Sequence, residues 1–198
     1  MEKKIIQTVK KDLSIVSFES QKECEEWLEQ NHALSNGIWL RLFKKNSGIP
    51  SINHALALEE ALCYGWIDGQ AKGYDADSHL QKFTPRRARS IWSKRNIENF
   101  ERLVQDGRMK PSGMKAAEAA KADGRWDRAY DPPGSMTVPQ DFLLELSKDA
   151  ESLAFFEKLN KANKYAIVWR LQTARRPETR EKRMTAILQM LARGEKFH

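Results

Sequence analysis

The sequence predicts an α+β fold, in which a small antiparallel sheet packs with helices and a helical C-terminal subdomain follows. Two observations support this class. Short β-prone runs with strand-like alternation are confined to residues 13–84, where they are interleaved with segments of helical periodicity. After residue 139 every segment has helical spacing and no strand pattern returns.

The first elements alternate between strand and helix. Leu13–Phe18 is a short β-prone run and predicts a strand. The capping box Ser20–Glu23 predicts the start of a helix over Gln21–Asn31. Gly37–Phe43 is largely apolar on both faces, which is typical of a central strand.

A helix and two strands come next. Asn53 or Ser51 can cap the helix, and Gly65 is its predicted stop. Ile67–Gly73 and Ser78–Thr84 predict two strands joined by a polar turn.

Two further helices complete the predicted body. Ser93 can cap a helix over Lys94–Asp106, which Gly107 ends. Pro111 suits the first position of the second helix, which is predicted to reach Asp123.

The C-terminal part begins after a loop. Arg125–Pro139 holds three prolines and predicts an ordered loop or linker. Four helices follow, over Asp141–Ser147 and Asp149–Lys158, then after a cap at Asn160 and from Pro177 onward. The predicted domains are therefore an α+β body with a basic cleft (1–124), a linker (125–138) and a helical subdomain (139–198).

Composition and charge narrow the classes of function. The formal net charge is +7, and residues 70–130 alone carry +6, which favours an anionic small molecule or nucleic acid as partner. No apolar run reaches the roughly 18 residues of a membrane span, so no membrane insertion is expected. Polar residues break the apolar runs of residues 1–16, which argues against an export signal and predicts a cytoplasmic protein.

The cysteines and histidines give no sign of a metal site. Cys24 and Cys63 lie in helical patterns and are expected to be reduced core thiols. The four histidines are scattered, without ligand spacing, so neither a metal nor a cofactor is predicted.

The stretch Lys82–Arg95, which we call the basic segment, is the strongest candidate site. It holds six basic residues and no acid. Lys94 and Arg95 fall in the first turn of the helix that Ser93 caps, where cations oppose the helix dipole by roughly 0.3–1 kcal/mol each. A bound anion would reverse this penalty. The alternative is a solvated strand edge or a set of structural ion pairs.

The predicted ligand-binding residues come from the basic segment and from the stretch just before it. They are Trp66, Asp68, Lys82, Arg86, Arg87, Arg89, Trp92, Ser93, Lys94 and Arg95. Asp68 can orient an arginine or a ligand, or pair with an arginine of the next strand, or serve in proton transfer with Tyr64. The structural alternative makes Trp66 part of the apolar face of the preceding helix. A second basic stretch, Arg175–Arg183, mixes in acids at helical spacing and is interpreted as a salt-bridged solvated face, with phosphate contact as the alternative.

The chain lacks the common catalytic and nucleotide-binding motifs. No GxGxxG, GxxxxGK[ST] or GxSxG occurs, and no RNP motif or zinc finger is present. Without a nucleophile, a cofactor loop or a metal set, an enzyme is left open but not favoured.

Four stretches together resemble a known family. They are GIWLRLFKKNSG, EALCYGWIDGQAK, FTPRRARSIWSKRN and GRMKPSGMKAAEAAKADGRW, and RLQTARRPETREKR adds the C-terminal helices. The chain resembles the YdeI/OmpD-associated family, also called bacteriocin-protection proteins, over about residues 10–195. The resemblance implies a role in stress resistance and an association with an outer-membrane porin, but no reaction or ligand. A porin-associated role would suggest an envelope location, whereas the sequence predicts no export signal.

Three hypotheses follow from the sequence. The first is a binding protein that holds a phosphate-bearing small molecule or a nucleic acid in a basic cleft. The second is a stress-related module that docks on a protein partner. The third is an enzyme on an anionic substrate, with the arginines as electrostatic stabilisers and Asp68 or Tyr64 in proton transfer.

Overall fold

A computed structural model describes residues 13–198. The expectations for the N-terminal stretch, that it carries no export signal and opens the α+β body, fall on residues 1–12 and so lie outside the described residues. In chain order the elements are β1 (Ile15–Val16), α1 (Gln21–Asn31), β2 (Ile38–Phe43), a 3-10 turn (Lys45–Ser47), α2 (His54–Cys63), β3 (Trp66–Gly73), β4 (Ser78–Pro85), α3 (Lys94–Gln105), α4 (Pro111–Ala122), α5 (Gln140–Leu146), α6 (Ala150–Lys158), α7 (Lys161–Gln172) and α8 (Pro177–Ala192).

The fold divides into two compact units. Of the described chain, the first unit holds residues 13–90 and 99–124, and the second holds residues 91–98 and 125–198. The α+β class is thereby confirmed, with the sheet in the first unit and four helices, α5 to α8, in the second.

The sheet of the first unit has four strands in the order β1-β2-β4-β3. β2 pairs antiparallel with β4, from Ile38 opposite Phe83 to Phe43 opposite Ser78, and β4 pairs antiparallel with β3. β1 is shorter than the predicted Leu13–Phe18 strand and runs parallel to β2, so the sheet is mixed rather than wholly antiparallel. The parallel pair arises because α1 connects the two strands as a crossover. β2 is central, as its two apolar faces predict.

The core of the first unit lies on one face of this sheet. Side chains from α1, α2, β2, β3 and β4 meet there around a small internal void, namely Cys24, Leu28, Ile38, Leu40, Ala57, Ala61, Trp66 and Phe83, joined by Phe18. Both cysteines are buried and free, as expected for core thiols. Burial raises the pKa of each thiol to about 12.

The second unit has a separate apolar core. Its buried members come from all four C-terminal helices, namely Phe142, Leu146, Phe156, Leu159, Ile167, Leu171, Ile187 and Leu191. Residues 91–98 join this unit through a parallel bridge between Ser93 and Tyr130 and through the rings of Trp92 and Trp126, whose centroids lie 4.9 Å apart. The second unit therefore combines the α5 to α8 bundle with the start of α3.

Candidate anion-binding site

Two of the predicted site residues in the first unit are core side chains. Trp66 is 1% exposed, and its indole Nε1 donates to the carbonyl oxygen of His32 at 3.1 Å. Tyr64 is 4% exposed and packs against the His32 ring, with centroids 5.1 Å apart. Burial raises the pKa of the Tyr64 phenol. Trp66 is thus a core side chain, as its structural alternative has it, although it begins β3 instead of continuing the apolar face of α2, and Tyr64 is buried as well.

Asp68 pairs with a histidine that the sequence does not single out. On β3, its Oδ2 lies 3.1 Å from Nε2 of His54, the first residue of α2. The His54 ring also packs on Phe83, with centroids 6.1 Å apart. The partner is therefore a histidine of α2, where the sequence suggests an arginine of the next strand.

The basic side chains at the end of β4 differ in their surroundings. Lys82 lies over the Trp39 ring, with Nζ 5.9 Å from the ring centroid. The half-buried Arg86 donates its backbone N–H to the carbonyl oxygen of Gly65 at 2.9 Å. Arg87 and Arg89 are exposed, and between residues 13 and 198 neither forms an ion pair. Arg87 and Arg89 are thus the solvent-facing cations of this half of the basic segment.

The second half of the basic segment belongs to the second unit. Trp92 is 1% exposed. The Ser93 hydroxyl accepts from the backbone N–H of Asn96 at 3.1 Å, which confirms the predicted cap of α3. Arg95 is exposed and has no ion pair within the described part of the chain.

A carboxylate of the chain lies close to the start of α3. Asp131 Oδ1 is 2.6 Å from Nζ of Lys94, and the backbone N–H of Lys94 donates to the carbonyl oxygen of Tyr130 at 2.9 Å. Gln172 donates to Asp131 Oδ2 at 2.7 Å. The hydrogen bond from Lys94 is the main cause that lowers the pKa of the Asp131 carboxyl. Asp131 therefore offsets the positive charge of Lys94, which the sequence assigns to a bound anion to neutralise.

The same loop forms one wall of a pocket in the second unit, which we call the arginine pocket. Its volume is about 90 Å³. Its lining holds three arginines and no acid, and consists of Ile91, Arg125, Arg128, Tyr130, Gln172, Thr173, Ala174 and Arg175. Arg125 is 6% exposed, whereas Arg128 and Arg175 reach solvent.

Several polar groups of this lining already have partners in the protein. Gln172 binds Asp131, and the Thr173 hydroxyl donates to the carbonyl oxygen of Trp169 at 2.7 Å. The Tyr130 ring packs edge-on against Trp169 with centroids 6.1 Å apart. These contacts hold three of the lining residues in place. The arrangement is suited to an anionic group, because guanidinium forks bind carboxylate and phosphate oxygens in pairs.

Three stretches that carry the family resemblance meet in the arginine pocket. Ile91 comes from FTPRRARSIWSKRN, Arg125 from the stretch that ends in GRW, and Arg175 from RLQTARRPETREKR. The sequence assigns Arg125 and Arg128 only to a linker, because local patterns cannot pair a loop with the end of α7.

The second basic stretch has one ion pair among the described residues, and its partner is an acid of α5 instead of the acids within the stretch. Arg180 binds both carboxylate oxygens of Asp141, at 2.5 and 2.9 Å. Arg183 donates to the carbonyl oxygen of Arg170 at 2.7 Å. Arg175, at the start of the stretch, lines the arginine pocket instead.

Two other kinds of site are absent from residues 13–198. No group of three or more His, Cys, Asp or Glu side chains in this range is arranged to hold a metal ion. No helix of the same range has the length and apolar character needed to cross a bilayer.

Comparison with known families divides the chain much as the fold does. Residues 16–116 match the model of a domain of unknown function, DUF8412. Residues 135–194 match the family described as Bacteriocin-protection, YdeI or OmpD-Associated, which confirms the resemblance seen in the sequence, although over a shorter range than expected. Neither the curated proteins nor the solved structures gave a match to this chain. The match over residues 16–116 covers just over half of the sequence, so the chain belongs to the DUF8412 family, and its C-terminal helices match the bacteriocin-protection family.

Proposed function

We propose that the protein binds a small molecule with a phosphate or similar anionic group, and that the arginine pocket holds this group. One observation carries the proposal, namely that three arginines and no acid line a single pocket of the second unit. The proposed function is the one predicted from the sequence, but the proposed binding site lies at residues 125–130 and 172–175 instead of the basic segment.

The size and charge of the pocket both suit this ligand. A volume of about 90 Å³ accommodates an anionic headgroup rather than a whole drug-sized molecule, for which pockets of roughly 300 Å³ or more are usual. Arg175 forms no ion pair between residues 13 and 198, so its charge is open to a ligand.

The basic segment has a supporting part in this proposal. Lys94 fixes Asp131 and thereby the loop that carries Arg128 and Tyr130. Arg95 adds an exposed positive charge to the same unit. The location in the cytoplasm and a protein partner stay predictions from the sequence.

The test is calorimetric titration with pyrophosphate, and in parallel with a single-stranded oligonucleotide, over a range of salt concentrations. Arg128→Gln/Arg175→Gln is expected to weaken pyrophosphate binding at least about 100-fold, because each of the two guanidinium groups supplies a charge-assisted hydrogen bond worth roughly 1.5–3 kcal/mol. Lys158→Gln/Lys182→Gln removes the same charge from exposed positions of the second unit and should change affinity less than about threefold.

Three outcomes would contradict the proposal. Equal weakening by both double variants would mean that only net charge matters. Loss of binding in Arg87→Gln/Arg89→Gln, with full affinity in the Arg128→Gln/Arg175→Gln protein, would return the site to the end of β4. Tighter binding of the oligonucleotide than of pyrophosphate, with a steep salt dependence, would instead identify a nucleic-acid interface.

A further inference from the structure

A second and larger pocket of the second unit combines apolar walls with two arginines. Its volume is about 350 Å³, within the range of small-molecule sites. We call it the α7–α8 pocket, and its lining consists of Trp169, Arg170, Arg183, Ala186, Ile187, Met190 and Phe197. It shares no lining residue with the arginine pocket.

The guanidinium groups of this pocket are held in place by neutral groups. Nη1 of Arg183 donates to the carbonyl oxygen of Arg170 at 2.7 Å and to the Thr173 hydroxyl at 3.3 Å. Nη1 of Arg170 donates to the carbonyl oxygen of Ala166 at 2.9 Å, and its guanidinium carbon lies 3.7 Å from the centroid of the Phe197 ring. Both side chains are therefore ordered without a salt bridge.

No carboxylate within residues 13–198 forms an ion pair with Arg170 or Arg183. The two side chains are half-buried and carry the same charge. Burial and, after it, the charge of Arg183 lower the pKa of the Arg170 guanidinium. Two confined like charges with no acid between them favour the approach of an anion.

The remaining walls of the pocket favour an apolar group. The indole of Trp169, the ring of Phe197 and the aliphatic chains of Ile187 and Met190 line it. Burying a hydrocarbon chain against such walls contributes roughly 0.8 kcal/mol per CH₂ group. Charge and apolar surface thus occur side by side in one cavity.

We infer that the α7–α8 pocket binds an amphiphile, with one carboxylate head between Arg170 and Arg183 and an unbranched hydrocarbon tail along Ile187 and Met190. Two arginines in the lining of an otherwise apolar cavity match a single anionic head, whereas an inorganic anion would leave the apolar walls unused. This site is separate from the arginine pocket, so it stands whether or not the proposed function is correct.

The experiment compares three probes by calorimetric titration below the micelle concentration. Dodecanoate has head and tail, dodecanol has the tail alone, and acetate has the head alone. Dodecanoate is expected to bind with one-to-one stoichiometry and at least about tenfold more tightly than either of the others, because the two contributions reinforce each other.

Two variants separate the head from the tail. Arg170→Gln is expected to weaken dodecanoate binding about 10-fold to 100-fold while leaving dodecanol unchanged. Ala186→Phe places a ring at the exposed rim of the pocket and keeps both arginines, so it should weaken both dodecanoate and dodecanol. Lys182→Gln, next to Arg183 but outside the pocket lining, is the matched charge control and should bind dodecanoate within about twofold of the wild type.

Three results would overturn the inference. They are equal affinity for dodecanoate and dodecanol, several equivalent dodecanoate sites per chain, and unchanged dodecanoate affinity in the Ala186→Phe protein. Thermal unfolding followed by circular dichroism shows that each variant is folded, so that a loss of binding is assigned to the pocket.

Discussion

At the residue scale, four charged side chains of the first unit form a network that joins α2 to α3 and to the chain just after α3. Glu60 is 3% exposed and accepts hydrogen bonds from Arg108 and, at 2.6 Å, from Gln21. Glu59 accepts from Arg102 at 2.5 Å and from Arg108 at 2.9 Å. A buried carboxylate is tolerated here because each charge has an opposite partner.

This network predicts an acid-sensitive contribution to stability. Burial by itself would raise the pKa of Glu59, but hydrogen bonds from Arg108 and Arg102 outweigh burial and lower it below its ordinary value of 4.5. Because the folded-state pKa is the lower one, the contribution is fully present above the unfolded-state pKa and is lost as the pH falls through the folded-state pKa. We expect the urea midpoint to fall between pH 6 and pH 3, and Glu59→Gln to reduce that fall.

The control for this prediction is Glu101→Gln, which changes an exposed glutamate of α3 that has no ion pair in the range 13–198. It should keep the pH dependence of the wild type. Identical pH profiles for Glu59→Gln and the wild type would show that the network contributes nothing to acid stability.

At the element scale, two glycines set the contact between the end of α2 and the start of α4. Gly65 has φ +75°, and a Cβ at this position would lie 2.8 Å from the carbonyl oxygen of Ser112. A Cβ on Gly113 would collide with the carbonyl oxygen of Cys63. The backbones of the two helices therefore approach more closely than side chains would allow, which makes glycine necessary at both positions.

Replacing Gly65 with alanine should therefore lower the free energy of unfolding by more than the backbone strain alone would. Gly107 has a similar φ of +67°, but a Cβ added there would meet no described atom within 4 Å, so Gly107→Ala measures the strain by itself, roughly 1–2 kcal/mol. We expect Gly65→Ala to lower the free energy of unfolding by about 1–3 kcal/mol more than Gly107→Ala does, because of the clash. Urea denaturation measures both, and equal losses would mean that the α2–α4 contact relaxes freely.

At the scale of the whole molecule, the two compact units have separate cores and match different family models. The core of the C-terminal helices is formed by residues between Phe142 and Leu191, with Val138 and Phe197 packed against it. The boundaries 1–124, 125–138 and 139–198 stay predictions, and residues 91–98 group with the second unit although they are distant from it in sequence.

The separate core predicts that a fragment of residues 135–198 folds on its own. We expect a helical circular dichroism spectrum and a cooperative thermal transition at a lower temperature than in the full chain, because a domain this small buries a smaller share of its surface. Leu146→Ala, at a position 1% exposed, should cost about 2–5 kcal/mol and unfold the fragment. Leu144→Ala in the same helix, at a position 59% exposed, is the matched control and should leave the transition nearly unchanged. A fragment without a cooperative transition would show that the core depends on the rest of the chain.

How far the sequence predicts the fold depends on how local each signal is. The caps at Ser20, Asn53, Ser93 and Asn160 all accept the backbone N–H three residues ahead, as the sequence indicates. These signals are short-range, because a cap satisfies an N–H group of its own first turn. The candidate site is not local in this sense, since the lining of the arginine pocket comes from three separate stretches of the chain.

The sequence by itself determined the α+β class, the order and caps of the helices, the excess of positive charge and the family resemblance, because periodicity, capping and composition act over a few residues or over the whole chain. Only the tertiary structure decided which charges are neighbours. It placed Asp131 on Lys94, His54 on Asp68, and Arg128 beside Arg175. The physical reason is that charges interact through space, whereas the sequence records only their separation along the chain.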